Sequence, residues 1–149
     1  ISWKSTDMSP GRLLNYAPIL DWTPVLKIPN LKFINLQYKD FEDDLSKVRE
    51  ELGVTVHNFD DLDQWNNIHD VTALCAALDM VITTKITVVY MSAGVGTLTK
   101  ILSWKQSSWN TIVNNPVGPL IDIYTRNTWE PWDNVFKLIN EDIGKFIFD

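Results

Sequence analysis

The sequence has little cysteine, little histidine and no concentrated positive charge. Cys75 is its one cysteine among 149 residues, which excludes an intrachain disulfide framework and a cysteine-rich metal site. Cys75 lies on the apolar side of a predicted helix, and a lone cysteine there is typical of a small buried hydrophobic side chain. We therefore expect a reducing, cytoplasmic compartment.

Positive charge is scarce and scattered. The chain has 13 Lys and Arg against 19 Asp and Glu, a net charge of −6. Binding to nucleic acid or to an anionic membrane surface normally needs a basic patch, so neither partner is expected. No apolar run approaches the roughly 20 residues that span a bilayer, and no signal peptide opens the chain. We expect no transmembrane segment.

Metal ligands are also few. His57 and His69 stand near the acidic residues of 60–63 and Asp70, but the spacing places no pair of ligands at i and i+4 on one helix face. The carboxylates are better explained as a solvated loop and as N-terminal helix charges. The sequence therefore predicts no metal site and no bound cofactor.

What the chain does contain is an ordinary globular composition, 45% hydrophobic and 21% charged, with strands alternating with helices. Strands are predicted at residues 1–3, 31–36, 54–56, 80–83 and 100–104. Helices are predicted at 14–26, from an Asp40 cap to Gly53, from an Asn66 or Asn67 cap to Leu78, at 87–93, and from Thr128 or Pro131 to the end. This alternation predicts an α/β fold, a doubly wound, mostly parallel sheet in one domain over 1–149.

The pattern begins in mid-strand at Ile1 without an initiator Met. We therefore expect a fragment of a longer protein.

Residues 67–96 carry the clearest functional pattern. A helix leads into the strand at 80–83, and a polar turn containing Thr83, Lys85 and Thr87 leads into a second helix. Open α/β sheets bind anionic ligands at the carboxyl ends of such strands, next to helix N-termini. The turn is thus a candidate anion site.

This segment, NIHDVTALCAALDMVIT at 67–83 followed by AGVG at 93–96, resembles the C-terminal half of GT-B glycosyltransferases. The similar proteins are of the heptosyltransferase type and of the type fused to tetratricopeptide repeats. ISWKS at 1–5 resembles the family's first strand and phosphate-facing loop, and FINLQ at 33–37 resembles its second strand. Trp109, residues 119–126 and Trp129 are similar to late tryptophan and arginine positions of the family.

The resemblance implies a Rossmann-like, nucleotide-sugar-binding domain whose substrate is the donor. The donor-binding residues that it implies are Lys4, Ser5, Arg12, Gln37, Thr83, Lys85, Thr87 and Tyr90. It assigns no catalytic residue, because acceptor recognition and usually the catalytic base belong to an N-terminal domain that this chain lacks. That missing domain is the expected partner.

The chain departs from the family in the turn itself. The heptosyltransferase-like pattern has Asp, Thr, a small residue, two variable positions and His, where this chain has Lys85, Ile86, Thr87, Val88, Val89 and Tyr90. Either the donor site is altered for another ligand, or it has decayed. The decayed form would be a non-catalytic interaction or structural module of a larger, tetratricopeptide-containing protein. A Rossmann-type nucleotide-binding domain unrelated to sugar transfer is a third alternative.

Two other groups of residues have competing interpretations. Gln37 is either a ligand for a base or ribose, or an amide satisfied within the fold at a strand end. Seven tryptophans are present, and the late ones, Trp104, Trp109, Trp129 and Trp132, are expected to pack the last helix onto the sheet or to line a sugar or base pocket.

Overall fold

The computed structural model describes residues 1–107 and 118–148. Within these ranges, strands and helices alternate along most of the chain. The helices are α1 (Pro10–Leu13), α2 (Thr23–Leu26), α3 (Glu42–Leu52), α4 (Ile68–Ala76), α5 (Val88–Gly94) and α6 (Asp133–Phe148), and the strands are β1 (Phe33–Ile34), β2 (Val56–His57), β3 (Met80–Thr84), β4 (Leu98–Trp104) and β5 (Ile121–Arg126). Short 3₁₀ turns occur at Ile19–Trp22 and Gly118–Leu120.

All the strand pairs are parallel, and the first residues of the chain join them into one sheet. β1 pairs with β2, and β4 lies between β3 and β5. Ser2 bridges to Thr83, and its N–H donates to the Ile82 carbonyl at 3.1 Å. On the other side, the Leu36 N–H donates to the Ile1 carbonyl at 2.9 Å. The spatial order is therefore β2, β1, residues 1–3, β3, β4, β5, which is the strand order of a doubly wound α/β sheet.

Alternate strand residues pack against helices on opposite faces of this sheet. Ile82 and Leu102 belong to a core that includes apolar residues of α2, α3 and α6. Their neighbours Val81 and Ile101 pack against α4 and α5 on the other face. Since successive side chains of a strand point to opposite faces, this pattern confirms an α/β fold with a parallel sheet covered on both sides. The architecture is consistent with a Rossmann-like fold.

Aromatic packing anchors α6 to the larger of these cores. The Phe136 ring is fully buried, 5.2 Å from the Trp22 ring and 6.5 Å from the Trp132 ring between centroids. The tryptophan prediction is confirmed for Trp132 and wrong for Trp129, whose side chain is 79% exposed. Trp109 lies outside the described residues.

A partly buried polar chain joins β4, β5 and α6. The Lys100 ammonium donates to the Tyr124 hydroxyl at 2.7 Å and to Asp122 at 3.0 Å, and the Tyr124 hydroxyl donates to Asp142 at 2.6 Å. Burial raises the pKa of Tyr124, and its hydrogen bond to Asp142 raises it further. Tyr124 thus stays protonated and supplies both an acceptor for Lys100 and a donor for Asp142.

Several element boundaries differ from those expected. Residues 14–18 are not helical, so the helix predicted at 14–26 is wrong in its first part. Asp40 is not a helix cap: it has φ 53° and precedes Phe41, the residue at the N-cap of α3. The last helix begins at Asp133 rather than at Thr128 or Pro131.

Two expected helix ends are confirmed. The Asn67 side chain accepts from the Asp70 N–H at 3.2 Å at the start of α4. Gly53 ends α3 with φ 67°, a conformation that glycine adopts without steric cost. Across residues 1–107 and 118–148, no helix combines the length and the apolar character needed to cross a membrane.

Candidate functional site

A cleft of about 530 Å³ opens at the carboxyl edge of the sheet, on the face covered by α4 and α5. Its polar walls come from the loop after residues 1–3, the segment after β1 and the loop after β3, and its floor is apolar. The residues that line it include Ser5, Arg12, Leu36, Tyr38, Trp65, Ile86, Thr87 and Tyr90. The chain runs from residues 1–3 to one side of the sheet and from β3 to the other, so the cleft lies at the point where the strand order reverses.

Ser5 is held at this edge by Tyr38. The two hydroxyl oxygens are 3.0 Å apart, and the Tyr38 oxygen also accepts from the Thr6 N–H at 3.0 Å. These bonds tie the loop after residues 1–3 to the segment after β1. The two hydroxyls therefore form one fixed polar wall of the cleft.

Arg12 spans two of the loops. Its Nε is 3.4 Å from an Asp7 carboxylate oxygen, and its Nη1 donates to the Lys85 carbonyl at 3.2 Å. Hydrogen bonds from Ser9 hold the pKa of Asp7 below its ordinary value, and Arg12 lowers it further, so Asp7 is ionised. The guanidinium is consequently fixed at the cleft while 36% of its side chain stays exposed.

Thr87 and Tyr90 form the opposite wall. Thr87 is exposed at the position preceding α5, where its hydroxyl makes no capping bond to the helix. Tyr90 is 49% exposed on the first turn of α5. Ile86 lies between the sheet and these residues and contributes apolar surface. An incoming ligand would meet a hydroxyl and a phenol on this wall.

Four of the expected donor residues do not line the cleft: Lys4, Gln37, Thr83 and Lys85. Gln37 is 1% exposed, and its side-chain oxygen accepts from the Ser2 hydroxyl at 3.0 Å and from the Trp3 and Lys4 N–H groups at 3.2 and 3.1 Å. Its geometry is that of an amide satisfied at a strand end. It holds residues 2–4 against β1.

Thr83 and Lys4 make contacts elsewhere in the fold. The Thr83 hydroxyl is buried within the sheet and donates to the Thr84 carbonyl at 3.0 Å. The Lys4 ammonium forms a 2.7 Å ion pair with Asp44 on α3, beside a different groove.

Lys85 is a buried residue next in sequence to residues that line the cleft. It follows the last residue of β3, and its neighbours Ile86 and Thr87 both line the cleft, but the residue itself is 2% exposed. Burial lowers the pKa of its ammonium to about 8, with a further contribution from the positive charge of Arg12. The amine is therefore near the midpoint of its titration at mildly alkaline pH.

The cleft also contains an aromatic pair that the sequence analysis did not identify. The Tyr38 and Trp65 rings are 5.2 Å apart between centroids, and Lys39 places its ammonium 3.7 Å from the Trp65 centroid. Trp65 is 52% exposed. Tyr38 follows Gln37 directly, so its position after a strand could have predicted it as a site residue. Trp65 lies in a loop with no periodic pattern, and no such signal marks it.

Within residues 1–107 and 118–148, no group of three or more His, Cys, Asp or Glu side chains comes together as a metal site. The fold and the cleft define an α/β domain with a parallel sheet and one polar, cationic and aromatic cleft at its carboxyl edge.

The chain is similar to Protein FlbA of Caulobacter vibrioides, with 32% identity over 133 residues. The alignment covers 88% of this chain and 22% of FlbA, so the chain spans about a fifth of the length of this curated relative. No protein-family model matches the chain. No solved structure matches it either.

Proposed function

We propose that the chain is the donor-binding domain of a GT-B-type glycosyltransferase and holds a nucleotide sugar in the cleft. The observation that supports this most strongly is the position of Arg12. Its guanidinium joins the two loops that follow adjacent parallel strands, at the sheet edge where α/β proteins bind phosphorylated ligands.

The cleft has chemistry suited to each part of such a ligand. The diphosphate would lie against Arg12, whose planar fork of N–H donors suits phosphate oxygens. The Ser5 and Thr87 hydroxyls would donate to the same group. Tyr38 and Trp65 offer aromatic faces to a base or a sugar ring. A ligand in this orientation would extend from the cationic end of the cleft to the aromatic end.

In this proposal the domain binds the donor and does not turn it over alone. A GT-B site closes between two domains, and this chain would supply one of them. Donor affinity is therefore the property to measure on the chain, and transfer to an acceptor is a property of the full-length protein.

The proposal is tested by titrating the chain with UDP, GDP, ADP and CMP and their sugar conjugates, by thermal shift and by calorimetry. A ligand that binds the folded state alone raises the apparent stability. The Arg12→Ala variant should lose at least tenfold in affinity, since a hydrogen bond to a charged group is worth about 1.5–3 kcal/mol. Arg49→Ala is the matched control, because Arg49 is exposed on α3, away from the cleft. Equal nucleotide affinity in Arg12→Ala and the parent would show that the nucleotide does not bind beside Arg12 in the cleft.

A non-catalytic interaction module is the second candidate, favoured by the residues in the turn after β3. Lys85 is buried, Ile86 is apolar and Tyr90 is a phenol, in place of the acid, hydroxyl and imidazole of the family pattern. If neither the chain nor the full-length protein shifts with any nucleotide at millimolar concentration, this second candidate is the better one.

A further inference from the structure

Lys85 is a buried residue whose ammonium has no partner among the described residues. The residue is 2% exposed, and among residues 1–107 and 118–148 its ammonium makes no hydrogen bond or ion pair. Buried lysines are otherwise almost always paired. An unpaired one beside a cleft indicates a charge whose partner arrives from outside the fold.

The groups around Lys85 identify the sign of that partner. Arg12 donates to the Lys85 carbonyl and is the charged group that repels its ammonium. The nearby acid, Asp7, is already paired with Arg12. Tyr16, whose pKa is raised chiefly by burial, donates its hydroxyl to the Asp7 carbonyl, so it is neutral at pH 8. The positive charges of Lys85 and Arg12 are thus close together, and the carboxylate of Asp7 is paired with Arg12, so an added anion would balance the charge of Lys85.

We propose that the Lys85 amine takes up a proton when a phosphate-bearing ligand binds beside Arg12, so that ligand binding and protonation of Lys85 are coupled. This inference rests on the proposed function of the cleft and adds its dependence on pH. The proton comes from solvent and joins the neutral amine, and no covalent bond to the ligand forms. The ligand anion then becomes the counterion that the fold does not provide.

The expected proton uptake follows from the protonation state of Lys85 in the domain without ligand. With the pKa of Lys85 at about 8, roughly half of the amines are neutral at pH 8. A phosphate dianion placed near the ammonium favours the charged form and raises that pKa. Binding at pH 8 should therefore take up about half a proton per ligand, and affinity should fall by up to about tenfold per pH unit above 8.

The test is calorimetric titration at pH 8 in buffers of different ionisation enthalpy, which reports the protons taken up per ligand. The ligands are inorganic pyrophosphate, which has neither a base nor a sugar, and the nucleotides of the binding experiment. The parent should take up about half a proton and Lys85→Met none, with at least tenfold weaker binding at pH 7 in the variant. Lys27→Met, at an exposed lysine remote from the cleft, should behave as the parent.

The outcomes separate this inference from the proposed function. Nucleotide binding without proton uptake, or uptake that persists in Lys85→Met, overturns the role of Lys85 and leaves donor binding in place. Pyrophosphate binding with proton uptake, but no binding of any nucleotide, supports Lys85 and overturns donor binding. If neither probe binds, both proposals are wrong. The uptake measurement on the parent needs no variant to fold.

Discussion

Replacing Lys85 by methionine should stabilise the domain. The pKa of Lys85 is about 8 in the fold, against an ordinary 10.5, and each pKa unit is worth about 1.4 kcal/mol. Keeping the buried ammonium charged at pH 7 therefore costs the fold about 3 kcal/mol. Methionine has a similar length and no charge, so we expect Lys85→Met to raise the free energy of unfolding by about 2–3 kcal/mol at pH 7.

The pH dependence of the free energy of unfolding tests this prediction independently. The pKa of Lys85 is lower in the folded state than in the unfolded state. Below pH 8 both states bind the proton, so the full cost of burying the ammonium applies. Between pH 8 and 10.5 the folded state loses the proton while the unfolded state keeps it, so the stability of the parent rises. At pH 9.5 the parent should have recovered about 2 kcal/mol, whereas Lys85→Met should show no such rise.

Urea denaturation at pH 7, 8, 9 and 9.5 measures both effects, with midpoint and slope fitted for each protein. The range stops below pH 10 because the raised pKa of Tyr124 acts in the opposite direction above it. Lys27→Met is the control and should follow the parent at every pH. The reasoning is refuted if Lys85→Met is less stable than the parent at pH 7, or if the parent shows no gain between pH 8 and 9.5 relative to the variant.

Three further substitutions test other parts of the structure. Gln37→Met should lower the free energy of unfolding by about 3 kcal/mol, because two buried donors and one partly buried donor lose their acceptor, and chemical denaturation measures it. Tyr124→Phe should cost about 2 kcal/mol by the same assay, since it breaks a partly buried chain of hydrogen bonds to charged groups. Trp65→Ala should weaken nucleotide binding about tenfold in calorimetry without a matching loss of stability, because an exposed ring that stacks on a base is worth about 1–3 kcal/mol.

Matched substitutions give the controls. Gln64→Met removes a 3.1 Å hydrogen bond from the Gln64 amide to the Asn35 carbonyl and should cost about 1 kcal/mol. An equal loss in Gln37→Met would contradict the role given to Gln37. Tyr16→Phe removes an exposed hydroxyl and should cost less than Tyr124→Phe. Trp129→Ala should bind nucleotides as the parent does, and the same result for Trp65→Ala would exclude Trp65 from the site.

The elements that the sequence predicted well are those with a strong local signal. The strand at 80–83 is continuous and buried, and Asn67 and Gly53 have side-chain or backbone properties that fix a helix end. β5 was not predicted as a strand, because its polar residues Asp122, Thr125 and Arg126 interrupt the apolar run. They are tolerated there because Asp122 and Thr125 are exposed, and Arg126 donates to the Leu14 and Glu130 carbonyls.

The sequence predicted where the site lies better than it predicted which residues line it. Chain order alone brings Ser5, Arg12 and Thr87 to the same sheet edge, because the carboxyl ends of parallel strands meet there. Which side chains at that edge face the cleft depends on partners that are distant in sequence. Asp44 draws Lys4 to α3, and residues 2–4 engage Gln37. No local pattern reports such pairings.

The central position of residues 1–3 also constrains the order in which the sheet assembles. These residues are synthesised before every other strand of the sheet, yet one neighbour, β1, follows some thirty residues later, and the other, β3, is complete only at Thr84. Closing a long loop to pair Ser2 with Thr83 makes that contact slow to form. Until β3 emerges, β2, β1 and residues 1–3 present an unpaired parallel edge, a surface on which nascent chains associate.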